Sequence, residues 1–295
     1  MTADLRTLLT PELFRFLVDE WIPFSRTDPI EFAEAIAASL FRRRADTATI
    51  KQKTWPALKA LSLLGLDHVP DLFAFLPPPE DPDFPTQALG LLLVFDQAPR
   101  TLLKGVDVRW TYAYFGEISI KFLQQLQTLP SQLHPAGWNR WKDSVSLEFF
   151  VFVRLWFNAP LWHHEKMATQ GVSFTDETRQ LVERATNTRD PYRDQPDKRW
   201  HLHGFPNMLK EGGPKSPCGV VPGAFWISCL LDVHKPPLDL YGRYPWQNGA
   251  FGRVNTPDEA DWLDTAEIFS MDPEVRERIR QDVEAGKWTP LGDSD

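Results

Sequence analysis

Leu89–Gly105 reads LGLLLVFDQAPRTLLKG. From Leu89 to Phe95 every residue except Gly90 is apolar, and Asp96, Gln97, Pro99 and Arg100 follow. Such a run suits a helix buried on all sides. It ends in groups that cannot be buried without partners. The stretch predicts a core helix over 86–96 that carries an acid, an amide and a guanidinium to one place, with Ala98–Pro99 ending or kinking it.

Working outward, helix signals recur and strand signals do not. Thr10-Pro11-Glu12 has the cap-then-proline form of a helix start. Asp28-Pro29 and Thr54-Trp55-Pro56 repeat it, and Thr256-Pro257-Asp258-Glu259 adds acids in the first turn. Pro77 to Pro82 forms a stiff connector. Tyr112, Phe115, Ile118, Phe122 and Leu126 lie at helical spacing within 108–126. Further helices are expected over 138–156, from Asp176 to Ala185, over 225–233 and from Pro273 to Gly286, and Pro236-Pro237 should break the chain. Arg42, Arg43 and Arg44 read as the solvated end of a helix. No stretch shows the alternation of a sheet with hairpin turns. The fold class is therefore all-α: about ten helices in antiparallel pairs, forming a single domain over 1–295.

Residues 187–223 stand apart, with six prolines, five glycines and little periodicity. A stretch this long without helical pattern is expected to be a covering loop, and Tyr192, Trp200 and Phe205 favour an ordered one. The charge is also uneven. Residues 256–295 hold twelve acids against four bases, which accounts for the whole net charge of −8, and the preceding residues are balanced. An acidic tail on a neutral body argues against a nucleic-acid partner, which needs a basic face. No apolar run reaches the length of a membrane span, and the start of the chain does not read as a secretion signal. Two cysteines, Cys218 and Cys229, suit a reducing compartment, and the expected location is the cytoplasm. The oligomeric state is not legible.

Three stretches carry a family resemblance. They are VFDQAPRT at 94–101 followed by Gly105, RLWFNAPLWHHE at 154–165, and His234 followed by YGRYPWQNGAFGRVNTPDE at 241–259. Together with FRFLVDEW at 14–21, they resemble a bacterial and fungal family catalogued as domain of unknown function 924. The resemblance spans about 12–265. It implies a TPR-like helical fold and no particular reaction. Thr101, His164 and Trp246-Gln247 depart from the family pattern, as does Thr111-Tyr112-Ala113, where the family carries an acid. These exchanges of polar for aromatic groups mark a divergent, fungal-type member whose pocket suits a larger and more apolar ligand.

The matched polar residues lie far apart in sequence, and an all-helical body could gather them. Asp96 and Arg100, at i and i+4, read either as a buried ion pair or as part of an anion site. Adjacent helical residues point about 100° apart, so His163 and His164 cannot both face one site, and His163 is the candidate proton carrier. The expected catalytic set is His163, Glu165 and Asp96. The expected substrate-binding set is Gln97, Arg100, Arg154, Trp162, His234, Arg243, Trp246, Asn248 and Arg253. His201-x-His203 is at most half of a metal site, so no metal or cofactor is expected. The leading expectation is a small-molecule enzyme. Its acid–base chemistry (cyclisation, isomerisation, dehydration or hydrolysis) would act on a fairly apolar substrate with a carbonyl or anionic group. The alternative is a TPR-like scaffold that recognises a peptide or partner protein.

Overall fold

A computed structural model describes residues 4–41, 47–267 and 271–292. These residues form helices and no strand, as expected. Ten α-helices of eight residues or more occur among them: α1 Pro11–Trp21, α2 Thr47–Ser62, α3 Phe84–Leu102, α4 Gly116–Gln127, α5 Leu147–His163, α6 Ala168–Thr186, α7 Gly204–Glu211, α8 Val220–Asp232, α9 Pro257–Ala266 and α10 Pro273–Glu284. The arginine run at 42–44 lies outside the described residues. None of these helices is long and apolar enough to cross a membrane.

The core is arranged around α3. Residues 87–96 are buried without interruption, and α3 packs against α1, α2, α4 and α5. The approach of α1 is the tightest. A Cβ on Gly90 would stand 2.3 Å from the Phe14 carbonyl oxygen and 2.5 Å from its Cα. Backbone cannot swing aside as a side chain can, so Gly90→Ala is expected to cost the upper end of the roughly 1–3 kcal/mol typical of overpacking. Urea unfolding measures it, and an unchanged midpoint would contradict this packing.

Several boundaries differ from those the sequence suggests, mostly because prolines lie inside helices or open them. Pro99 does not end α3, which continues to Leu102 and closes with the Leu103 amide on the Pro99 carbonyl at 2.8 Å. Pro56 lies inside α2, which begins at Thr47; Thr54 donates its hydroxyl to the Ile50 carbonyl at 2.7 Å instead of capping. α5 starts at Leu147, capped by Ser146, and runs through Pro160 to His163. Trp138 belongs to a short 3₁₀ turn. Glu31, not Asp28, caps the helix Phe32–Ile36. α6 begins at Ala168, eight residues before Asp176. Pro236 and Pro237 fall in the first turn of a short helix, Lys235–Tyr241, where a missing N–H costs nothing. Thr10 and Thr256 cap as expected, and Thr256 and Glu259 form a reciprocal capping box.

The 187–223 stretch is not a loop throughout. It contains short helices at Pro191–Asp194 and Pro196–Arg199, each opened by a proline, and then α7. The expected helix over 108–126 is interrupted by a wide π turn at Thr111–Phe115 before α4. The acidic C-terminal stretch lies on the body. Trp110 donates its indole N–H to the Thr289 carbonyl at 2.9 Å, the Arg109 guanidinium stands 3.8 Å over the Trp288 ring, and Leu291 is buried.

Candidate functional site

The C-terminal ends of α3 and α5 meet. Asp96 leaves the buried face of α3, and His163 is the last residue of α5. The imidazole Nδ1 stands 2.9 Å and 3.0 Å from the two Asp96 carboxylate oxygens. The other neighbours of that carboxylate are also donors. Gln97 Nε2 approaches Oδ2 to 2.5 Å, and Arg100 stands 3.5 Å from Oδ1. Gln97 is fixed in turn by the Trp21 indole N–H, which donates to its Oε1 at 3.3 Å. Pro99 lies inside α3, so Asp96 and Arg100 stay on one helical face, one turn apart.

Electrostatics settle the charge states. Burial alone would raise the Asp96 carboxyl, but His163, Arg100 and Gln97 outweigh it and hold it at about 2. Burial and the Arg100 cation lower the His163 pKa below the ordinary 6.5, against the pull of Asp96. At neutral pH the pair is therefore a carboxylate and a neutral imidazole. An ionised carboxylate only accepts, so Nδ1 carries the hydrogen and Nε2 keeps the lone pair.

His163 opens onto a cleft of about 570 Å³. Trp162, Phe205, His234, Trp246 and Tyr112 supply aromatic walls, and Met271 and Val275, beside the N-terminus of α10, add apolar ones. His234 is buried with Nδ1 2.9 Å from the Leu230 carbonyl, and burial pushes it down to about 3, so it is a neutral wall. Phe205 packs on it with ring centroids 3.7 Å apart. Arg100 lies at the polar end of the cleft, 4.9 Å over the Tyr112 ring, with Lys104 and Thr111 nearby in the lining.

Of the expected site residues, Arg100, His163, Trp162, His234 and Trp246 line this cleft, with Asp96 and Gln97 behind them. The remaining five do not. Arg154 is buried at the α5–α6 contact, bonded to Thr178 Oγ1 and to the carbonyls of Ala136 and Phe174. Glu165 does not orient His163, because Arg253 holds it at 2.7 Å and it accepts the Tyr244 amide. Arg243 clasps the buried Glu259 with two bonds, at 2.6 and 2.8 Å. Asn248 bonds to Asn255. Arg243–Glu259 and Asn248–Asn255 brace the 241–259 segment internally, whereas Glu165 fastens it beyond the end of α5 through Arg253 and the Tyr244 amide, and Gln247 bonds the His163 carbonyl at 3.0 Å. His164, the extended residue that closes α5, turns away to Glu117 at 3.0 Å.

Thr111, Tyr112, Phe205, Met271 and Val275 line the cleft and were not foreseen. The departure at 111–113 hinted at the first two, and the expected covering loop at Phe205. Among the described residues no group of three or more His, Cys, Asp or Glu side chains is placed to hold a metal ion. His203 instead stacks on Trp262, with ring centroids 5.7 Å apart.

Residues 77–267 match the family described as "Bacterial protein of unknown function (DUF924)". The chain belongs to the DUF924 family. The matched span contains both members of the Asp96–His163 pair, the fastening ion pairs and most of the cleft, whereas Met271, Asp272 and Val275 lie beyond it. No curated protein and no solved structure matches the chain.

Proposed function

We propose that this DUF924 member is a small-molecule enzyme whose acid–base chemistry is carried by its own side chains, with His163 as the proton carrier and Asp96 as its positioning residue. The observation that carries this reading is the orientation of His163: Nδ1 is committed to Asp96, and the imidazole borders a cleft lined with aromatic rings. A neutral imidazole in that tautomer is a base at pH 7. The aromatic lining suits a fairly apolar substrate, and Arg100 supplies a donor for a carbonyl or anionic oxygen.

The test needs no substrate. Diethyl pyrocarbonate acylates neutral, accessible imidazole, so His163 should be modified in the native protein. The rate should rise with pH through a midpoint below 6.5, because the proton blocking Nε2 is lost below the ordinary histidine pKa. His163→Ala should abolish that modification with little change in melting temperature. An unreactive His163, or a midpoint above 6.5, would sink the reading.

The ion pairs of Arg154, Arg243 and Arg253 favour a second reading. Because they hold the fold, the motifs can also describe a TPR-like scaffold for a peptide or protein partner. His163→Ala and Arg100→Ala separate the two: unfolding of both variants supports the scaffold, and folded variants with lost ligand binding support the enzyme.

A further inference from the structure

Two buried donors beside the cleft lack a hydrogen bond. Arg100 Nε and Thr111 Oγ1 are the only two such side-chain atoms, among the described residues, that belong to its lining. Leaving such groups unmade costs about 1–3 kcal/mol each. The Thr111 hydroxyl is the more telling. Threonine in a helix ordinarily returns its hydroxyl to a carbonyl one turn back, and Thr54, Thr101, Thr175, Thr178 and Thr186 all do so here. Thr111 is 2% exposed, opens the wide turn Thr111–Phe115 and does not. Wide turns of this kind recur at functional sites. This one packs on α3 and sets Tyr112 beneath the Arg100 guanidinium, which brings Thr111 and Arg100 to the same end of the cleft.

The charge there limits what the donors await. Asp96 already balances the Arg100 charge: its Oδ1 accepts from Nη2 at 3.5 Å and lies 3.5 Å from Nε without accepting a hydrogen bond from it. Lys104, the other cation in the lining, shares the cleft with Asp272. A phosphate dianion would find no net positive charge. A neutral carbonyl oxygen that becomes negative during a reaction would gain two hydrogen-bond donors there.

Resting on the acid–base reading above, we infer that the substrate is an enolisable ketone on a planar, largely apolar skeleton, and that Arg100 and Thr111 hold its oxygen while His163 moves the proton. The proton on the carbon next to the carbonyl passes to His163 Nε2. The C–H electron pair becomes the enolate double bond, and the carbonyl π pair moves to oxygen. That oxygen accepts the Arg100 Nε–H and the Thr111 Oγ–H. The imidazolium then returns its proton to the same carbon or to another carbon of a conjugated system, so the net reaction is an isomerisation without oxidant or reductant.

The probe is 2-tetralone, a bicyclic ketone, with exchange of its α-protons for deuterium followed by NMR in D₂O. Wild type should accelerate exchange over buffer. Thr111→Val, which keeps the shape, should slow it about 10²-fold, the usual cost of one oxyanion donor, and Thr111→Ser should recover most of the rate. The melting temperature of Thr111→Val should hold or rise, because an orphan hydroxyl has been removed; a merely structural threonine would lower it. Binding of 2-naphthol, whose oxygen mimics the enolate, should weaken in the same variant. No acceleration by wild type, or full exchange in Thr111→Val, overturns the inference. Exchange that is lost in His163→Ala but intact in Thr111→Val would leave the acid–base reading standing and remove only the oxyanion site. Exchange that survives His163→Ala would remove both.

Discussion

Asp96→Asn is expected to fold and to lose roughly three to four orders of magnitude in any reaction that uses His163 as a base, the scale seen when an aspartate that fixes a catalytic imidazole becomes an amide. Every neighbour of the Asp96 carboxylate is a donor: His163 Nδ1, Gln97 Nε2 and the Arg100 guanidinium. An amide nitrogen in place of either oxygen sets donor against donor. Gln97 could relieve this by flipping, but its Oε1 already accepts the Trp21 indole N–H, which the flip would break. The cheaper escape is for the new amide to donate to His163. Nδ1 then becomes the acceptor, the hydrogen moves to Nε2, and the base is lost from the cleft side. Nitrogen-15 NMR of the imidazole reads this tautomer directly. Diethyl pyrocarbonate modification of His163 should slow in parallel. A variant that keeps both the Nδ1–H tautomer and wild-type reactivity would remove Asp96 from the mechanism and leave it as a buried ion-pair member.

The core helix of this pair was legible in the sequence, and its reach was not. LGLLLVF can only be buried, and a buried segment ending in Asp-Gln-x-Pro-Arg had to deliver those groups to partners. What misled was proline. Pro56 reads as a helix start and Pro99 as a helix end, and the helix before Pro160 was expected to stop at Trp156, yet all three prolines lie inside helices. One missing backbone bond costs less than the burial these helices gain from their neighbours, and tertiary packing overrides local propensity in this way. The Pro160 case matters for function. Once α5 is seen to continue, His163 falls at its last turn, beside the end of α3.

The motif arginines show the opposite limit. Arg154, Arg243 and Arg253 were expected at an anion site because they share sequence motifs with His163 and His234. Sequence reports that such residues are polar and dispersed; it does not report which carboxylate each one finds. Glu165 and Glu259 lie one motif or half a motif away from their arginines, and nothing local distinguishes a clasp from a binding site. Thr111 escaped for a related reason. Its significance lies in a hydrogen bond that is absent, and only the three-dimensional arrangement reveals that.

The largest loss of stability is expected from Arg179→Met, at a cluster with no sequence signal beyond the i, i+3 spacing of Asp176 and Arg179. Arg179 is fully buried on α6 and bonds Asp190 at 2.6 Å, Asp176 at 2.9 Å and Asp232 at the end of α8. Arg199 is the second cation and reaches Asp176 and Asp232. Two guanidiniums thus answer three carboxylates. Methionine fills much of the arginine volume, so packing is largely kept, but three carboxylates are left with one guanidinium, which reaches only Asp176 and Asp232. Removing one member of a buried pair typically costs about 3–5 kcal/mol, because the charge left behind is uncompensated. Burial already raises the Asp232 carboxyl against the pull of both arginines, and without Arg179 it rises further. The sign of the pH dependence follows. A carboxyl whose folded pKa exceeds its unfolded value binds more protons when folded, so the variant regains stability as pH falls and loses it as pH rises. Denaturant midpoints measured between pH 8 and pH 5 should therefore show the gap from wild type narrowing on acidification. Adding Asp232→Asn to Arg179→Met should recover part of the loss at pH 8, since it removes one stranded charge. A gap that is small at every pH would mean that water reaches these carboxylates and that the cluster does not hold α6, α8 and the 187–199 segment together.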